Sequence, residues 1–380
     1  MKFIINGGTL SHSLNSVMGL IAKNNTIPIV ENFLFVLKEN TLSISATDLE
    51  TLANINIELQ QAEAMGKNAV CVPAKEFSSL VNQLKAIPLT IFVNEDYSID
   101  IVTSEGKYSF KGLEPDDYPQ MTQIEDANVF TINSAMLVKA INKTIFATST
   151  DDFRPQMSGV FLEFSQKGLT FVGTDSHKLV RFRNVTYATE DARGFILPKK
   201  TLNIIQRILS SVNEDIEVKV ENNTSNIAFY FGNYIISCRL IDGKYPRYEE
   251  AIPVDNPNKL IVNSSALIST IKRVQIFSNP TTYKIRIAVT DKRLTITAED
   301  SNYGTRGKEE LPCSYEGEPM ELGLNAKFLL ELLNNVETED VCIETSRPNR
   351  PCIVLPYEET EEENSNSDES LLMLIMPVLL

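Results

Sequence analysis

Leu42–Asp48 (LSISATD), Leu169–Asp175 (LTFVGTD) and Leu294–Asp300 (LTITAED) share one pattern, alternating apolar residues closed by an acidic one. Alternation of period two marks a half-buried strand. The three stretches stand 127 and 125 residues apart. A second trio, VPAKEF at 72–77, LPKKTL at 197–202 and LNAKFL at 324–329, places Lys75, Lys200 and Lys327 125 and 127 residues apart. Tyr118-Pro119 and Tyr245-Pro246 repeat at 127. Independent motifs agreeing on a period of about 126 predict consecutive domains of one fold, since solenoid repeats run to about 20–50 residues. Three copies fill the 380-residue chain, giving predicted domains 1–127, 128–254 and 255–380.

Each copy opens on an apolar helical pattern: 9–22, 134–149 and 264–278, with Thr9, Ser134 and Ser264 or Ser265 as expected N-caps. Short strands follow, such as Phe33–Leu37 and Ser43–Ser45, then a second helix at 74–87, 199–212 and 325–336. Further strands, including Ser98–Ile101 and Tyr108–Phe110, complete the copy. The predicted class is α+β, three similar domains each with about two helices on a β-rich body.

Hydrophobic residues at 43% and charged residues at 22% exclude wholesale disorder. The longest apolar run, Leu371–Leu380, is half the length of a membrane span, and the N-terminus lacks the apolar core of a signal peptide. The five cysteines are scattered and odd in number, without a C-x-x-C pair, and only two histidines are present. The expectation is a reduced, cytoplasmic protein with free thiols and neither metal nor other cofactor.

A net charge of −15 argues at first against nucleic acid. The arrangement of that charge argues the other way. Lys75, Lys85, Lys139, Lys143, Lys199, Lys200, Arg207, Lys272, Arg273 and Lys327 fall on the six predicted helices, against only Glu76 and Glu331. The helices thus carry +8 and the remainder −23. Decoration of a solvated surface would mix glutamates with the lysines, because both are good helix formers. Segregation instead predicts a protein that meets a polyanion through its helices and repels it elsewhere. Lysines without a base-reading motif suit sequence-blind contact with phosphates.

The chain also resembles the bacterial DNA polymerase III β sliding clamps. The likeness rests on Met1-Lys2-Phe3, Thr26-Ile27-Pro28-Ile29, Thr47-Asp48-Leu49-Glu50, Val72-Pro73-Ala74, Thr174-Asp175-Ser176-His177-Lys178-Leu179, Asp242-Gly243-Lys244-Tyr245-Pro246 and Met376-Pro377, in that order along nearly the whole sequence. The resemblance implies a head-to-tail homodimeric ring of six like domains, with helices lining a hole around duplex DNA and sheets outside. It implies the partners of such a ring: double-stranded DNA, the polymerase III alpha subunit, a clamp loader and other proteins with clamp-binding motifs. DNA contacts are expected from Lys23, Asn24, Lys75, Lys139, Lys199, Lys200, Arg207, Lys272 and Arg273. A partner-peptide pocket is implied at Met157, Thr174, Ser176, His177, Lys178, Leu179, Pro246, Ala251, Pro351, Leu374, Met376, Pro377 and Val378. The family commonly has Gly at position 176 and Arg at 178 and 379, so Ser176, Lys178 and Leu379 depart from it. The subunit joint is implied at Tyr108 and Phe110 facing Ile276 and Phe277.

Other readings have less support. Asp175-Ser176-His177 holds the residue types of a hydrolase triad, but consecutive strand residues point to alternate faces. Asp48/Glu50 and Asp116/Asp117 are the residue type for Mg²⁺, although an Asp repeated at strand ends fits turn hydrogen bonding better. An acidic three-domain scaffold without a DNA role would leave the helix charge unexplained. Finally, Tyr357–Ser370 holds seven carboxylates and is expected to be a mobile loop or short insert ahead of a C-terminal core strand.

Overall fold

The computed structural model describes all residues except 22–26, 64–65, 122–123, 213 and 359–367. Its contacts divide the chain into two compact units, Met1–Val138 with Lys200–Leu240, and Lys139–Lys199 with Ile241–Leu380.

The six α-helices of the described residues are α1 (Gly7–Val17), α2 (Ala74–Gln83), α3 (Ser134–Thr144), α4 (Lys199–Leu209), α5 (Ser264–Val274) and α6 (Ala326–Leu333). The expected N-caps are corrected. The caps are the asparagines before the helices: Asn6 accepts from the Gly8 and Thr9 amides, Asn133 from Met136, Asn263 from Ala266 and Asn325 from Phe328. An Asn side chain accepts such bonds from an extended backbone, satisfying amides that the helix leaves free. At Gly7 no Cβ fits, because it would sit 2.2 Å from the Leu84 carbonyl oxygen. The first helix of each copy also ends earlier than its apolar pattern. Val17, Thr144 and Val274 are followed by single 3₁₀ turns at Met18–Leu20, Ile145–Ala147 and Gln275–Phe277. Such tightening keeps the apolar spacing for one turn, so the pattern alone does not show it. Lys85 lies beyond α2, outside any helix.

In the first unit, strands Gln61–Glu63, Lys2–Asn6, Pro88–Val93, Ser98–Val102 and Lys107–Lys111 form a five-stranded sheet in that order. An eight-stranded sheet runs from Asn128–Asn133 to Ala69–Pro73. At its middle Tyr234–Arg239 pairs with Thr51–Glu58, with Ile236 opposite Ala53. Leu10, Leu14 and Val17 of α1 and Phe77 and Val81 of α2 are fully buried.

In the second unit a nine-stranded sheet contains an equivalent seam, Lys178–Asn184 against Glu369–Ile375. The four-stranded sheet has the order Thr305–Pro312, Arg293–Asp300, Lys284–Thr290, Met320–Asn325. Leu267, Ile271 and Val274 of α5 and Leu329, Leu332 and Leu333 of α6 join its core. The final residues close one edge: the Val378 amide donates to the Gly323 carbonyl at 2.9 Å, and Lys284 reaches the Leu379 carbonyl at 3.3 Å.

The decamer Leu371–Leu380 divides as expected, with Met373, Leu374 and Ile375 buried in a strand. Of the expected acidic loop 357–370, the structure describes only the ends. Tyr357 ends one strand and Glu369 begins the next, and 359–367 lie outside the described residues.

Candidate DNA-facing and partner-binding sites

The recurring acidic residue is a turn-former. Asp48 Oδ1 accepts from the Glu50 and Thr51 amides, Asp175 Oδ1 from His177 and Lys178, and Asp300 Oδ1 from Asn302. Each carboxylate thereby replaces ladder bonds where the chain reverses. In the first two turns the next residue has a left-handed backbone, Leu49 at φ 80 and Ser176 at φ 76. The second value explains why glycine suits position 176: a Cβ there carries a backbone cost.

The repeated Tyr-Pro pair is a buried anchor. The Tyr118 hydroxyl donates to the Asn32 and Ser45 carbonyls at 3.2 Å, and Tyr245 to Val172 at 3.1 Å. Burial raises both phenols above their ordinary range.

The observed helices carry Lys75, Lys139, Lys143, Lys199, Lys200, Arg207, Lys272, Arg273 and Lys327 against Glu76 and Glu331. Many of these cations are engaged within the chain. Lys200 pairs with Asp48 and Arg207 donates to the Ser16 carbonyl. Lys139 meets Glu369 at 2.6 Å, and Arg273 forks onto Glu309 at 2.8 and 2.6 Å. That fork holds the Glu309 carboxyl below its usual range. Lys143 is buried between Glu337 and the Asn335 carbonyl, and Lys327 lies 3.6 Å from the centre of the Tyr283 ring. Lys75, Lys199 and Lys272 form no ion pair among the described residues, and Lys75 and Lys272 are exposed. Lys23 and Asn24 lie outside the described residues.

Part of the implied peptide pocket, from Thr174 to Leu179 with Met157, Leu374 and Met376, comes together at one end of the nine-stranded sheet, while Val378 bonds the four-stranded one. Leu179 and Leu374 are cross-strand partners and cluster with Val172, Ile196, Tyr245 and Tyr248. Thr174 donates to the Lys178 carbonyl at 2.8 Å, and the Met376 amide to the His177 carbonyl at 2.8 Å. Ser176 Oγ lies 2.6 Å from Arg154 Nη1 and 3.3 Å from Met157 Sδ. Pro246, Pro351 and Pro377 are half-buried, while His177, Ala251, Met376 and Val378 are exposed. The apolar cluster thus lies next to exposed Met and His side chains. A neighbouring cavity of about 640 Å³, walled by Phe161, Tyr245 and Tyr248, shares only Pro246 with the implied set.

Lys178 is a correction. Expected at the pocket's edge, its side chain is 5% exposed, bound to Asp175 Oδ2 at 2.6 Å and Glu331 Oε2 at 3.0 Å. Arg154, Phe328 and Glu331 were not singled out, because their link to the turn is through space.

At the implied joint, Tyr108 and Phe110 lie on the terminal strand of the five-stranded sheet, both half-buried. Phe110 packs edge-on against Phe77 at 5.6 Å. Ile276 is 75% and Phe277 37% exposed.

Asp175, Ser176 and His177 form no relay: the Asp175 oxygens hold backbone amides and Lys178, and Ser176 Oγ meets Arg154. No group of three potential ligands for a metal occurs among the described residues. Burial pushes the Cys71, Cys238 and Cys352 thiols up to about 12 and Cys342 to about 11, leaving them protonated and unreactive at neutral pH. No helix among the described residues is long and apolar enough to cross a membrane.

Repeated helix-and-sheet units with cation-bearing helices are the make-up of a DNA clamp. Models of the N-terminal, central and C-terminal domains of the DNA polymerase III beta subunit match residues 1–122, 131–247 and 249–377. The chain belongs to the DNA polymerase III beta subunit family. It is 28% identical over 342 residues to the beta sliding clamp of Proteus mirabilis, covering 90% of this chain and 92% of that protein. Identity to the beta sliding clamp of Vibrio cholerae is 26% over 380 residues, all of both chains. Among solved structures, a Pseudomonas aeruginosa sliding clamp bound to griselimycin superposes with a TM-score of 0.92 at 26% identity, covering all of both chains.

Proposed function

We infer that the protein is a DNA sliding clamp of replication. Two copies close head to tail into a ring of six like domains, with domain boundaries near Ala127 and Val254. The ring encircles duplex DNA in the cytoplasm and tethers the polymerase III alpha subunit and other proteins with clamp-binding motifs. A clamp-loading ATPase places it on DNA, and its contribution to synthesis is topological. The observation that supports this reading best is the coincidence of a threefold family match with helices that carry nine cations and two carboxylates. The test is retention on nicked circular DNA after loading. Rings should stay on circles and slide off when the circle is linearised. Equal retention on both forms would overturn the reading.

The pairing of the cations refines where DNA contact is expected. Lys75, Lys199 and Lys272 can meet phosphates without giving up a carboxylate partner. The triple change Lys75→Glu, Lys199→Glu and Lys272→Glu should shorten residence on circles and lower the salt slope by about 0.9 for each phosphate no longer neutralised. Stability should stay within about 0.5 kcal/mol per site, as for ordinary surface changes. Lys200→Glu instead sets a carboxylate against Asp48 and should lower the melting temperature as well. Unchanged residence and salt slope in the triple variant would place DNA contact elsewhere.

A further inference from the structure

The turn Thr174–Lys178 is tied to α6 by a charge buried beneath the cleft. A lysine ammonium has three N–H donors. For Lys178, one goes to Asp175 Oδ2 at 2.6 Å, Glu331 Oε2 forms an ion pair at 3.0 Å, and the centre of the Phe328 ring lies 4.5 Å from the ammonium. Both α6 partners, Phe328 and Glu331, are three residues apart and so share one helix face. On the same Phe328 ring lies His177, stacked at 5.7 Å with the planes inclined by 16°. His177 is itself exposed, and its carbonyl holds the Met376 amide. A buried ammonium without these partners would carry a large desolvation cost, so the network has strong reason to stay assembled.

We propose that Lys178 is a positioning residue of the partner-peptide cleft. It offers the peptide no donor. It holds the turn against α6, and through the shared Phe328 it fixes the His177 ring as one wall of the cleft. Glu331 completes the latch from the helix. An arginine here would carry five donors in a planar fork, whereas the Lys178 ammonium is a compact charge already held by Asp175 and Glu331. Polar recognition by this wall therefore falls to His177.

This proposal rests on the clamp reading for the cleft's occupant, and the experiment separates the two. The full ring is prepared with isotope-labelled histidine. Only His12 and His177 contribute signals, and His177→Asn assigns them. Stacking on Phe328 should displace the His177 ring resonance. Lys178→Met and Glu331→Gln should return it toward the unstacked position, while Lys178→Arg should retain the displacement. Affinity for a short acetylated peptide with a glutamine and nearby Leu and Phe, the ligand class that the family resemblance implies, measured by calorimetry, should fall about tenfold in Lys178→Met and about threefold in Glu331→Gln. Should Lys178→Met fold poorly, Glu331→Gln alters only a half-exposed carboxylate and decides the matter. An unmoved resonance overturns the proposal, even if the peptide binds no form of the ring and the occupant reading fails. A moved resonance with affinity unchanged in a ring that binds the peptide overturns it too.

Discussion

Alanine at Ile276 and Phe277 should convert the proposed ring into a folded monomer. Ile276 is 75% exposed on its 3₁₀ turn, so closing a joint over it removes almost a whole side chain from water. Phe277 gains less, because it already rests on its own sheet: a Cβ at Gly307 would lie 2.4 Å from its ring. Burial at the joint is then worth about 2 kcal/mol for Ile276 and about 1 kcal/mol for Phe277. A head-to-tail dimer has two identical joints, so every change acts twice. The expected loss of about 6 kcal/mol raises the dimer dissociation constant by about 10⁴-fold. The opposing strand, Lys107–Lys111, is the free edge of a sheet, and pairing it across subunits would remove a template for aggregation. Sedimentation at micromolar protein should show monomers with a cooperative thermal transition. A dimer that persists at nanomolar concentration would put the joint elsewhere.

Deleting Met376–Leu380 should abolish peptide binding at the proposed cleft and leave dimerisation intact. A short peptide in the cleft is expected to bind near micromolar, about −8 kcal/mol. Its affinity comes mainly from apolar contact, and the deletion removes the Met376, Pro377 and Val378 wall together with the bond that holds the His177 carbonyl. Affinity should fall by at least about 30-fold, or 2 kcal/mol. The joint residues lie on other segments and are untouched. A double change, Met376→Ala with Pro377→Ala, keeps the main chain in place and should cost about tenfold, on the order of 1.4 kcal/mol. Calorimetry showing undiminished affinity in both variants would mean that the cleft binds nothing there, and the backbone strain at Ser176 would be the first cause to test.

The strands were legible because their signal is local. LSISATD, LTFVGTD and LTITAED alternate residue by residue, and each is a strand, Thr41–Thr47, Gly168–Thr174 and Arg293–Asp300. The Asp that closes each was legible for the same reason, since its partners are two or three residues away. The caps were misplaced by one to three residues because Ser, Thr and Asn all serve in that role and stand side by side. Pairing between distant segments was not legible. Nothing within Tyr234–Arg239 names Thr51–Glu58 as its neighbour. The same holds for charges: Lys200 and Asp48 lie 152 residues apart, and Lys139 and Glu369 230 apart. A helix rich in lysine reads as a surface awaiting an anion, and only the folded chain reveals how many of those lysines have already met one. Lys178 is the sharpest case, a residue type almost always exposed that is buried here by two carboxylates and a ring.

The tail that seals the four-stranded sheet has a bearing on how such a protein changes over evolution. Its stitching is through the main chain: the Met376 amide serves one sheet and the Val378 amide the other, while Pro377 between them has no N–H to leave unsatisfied. The exposed Met376 side chain takes no part in those bonds, while the Val378 side chain lies over Gly323. Substitutions at 376 can therefore change that exposed side chain without baring the Met320–Asn325 edge to other molecules, because the bonds that close the edge belong to the main chain.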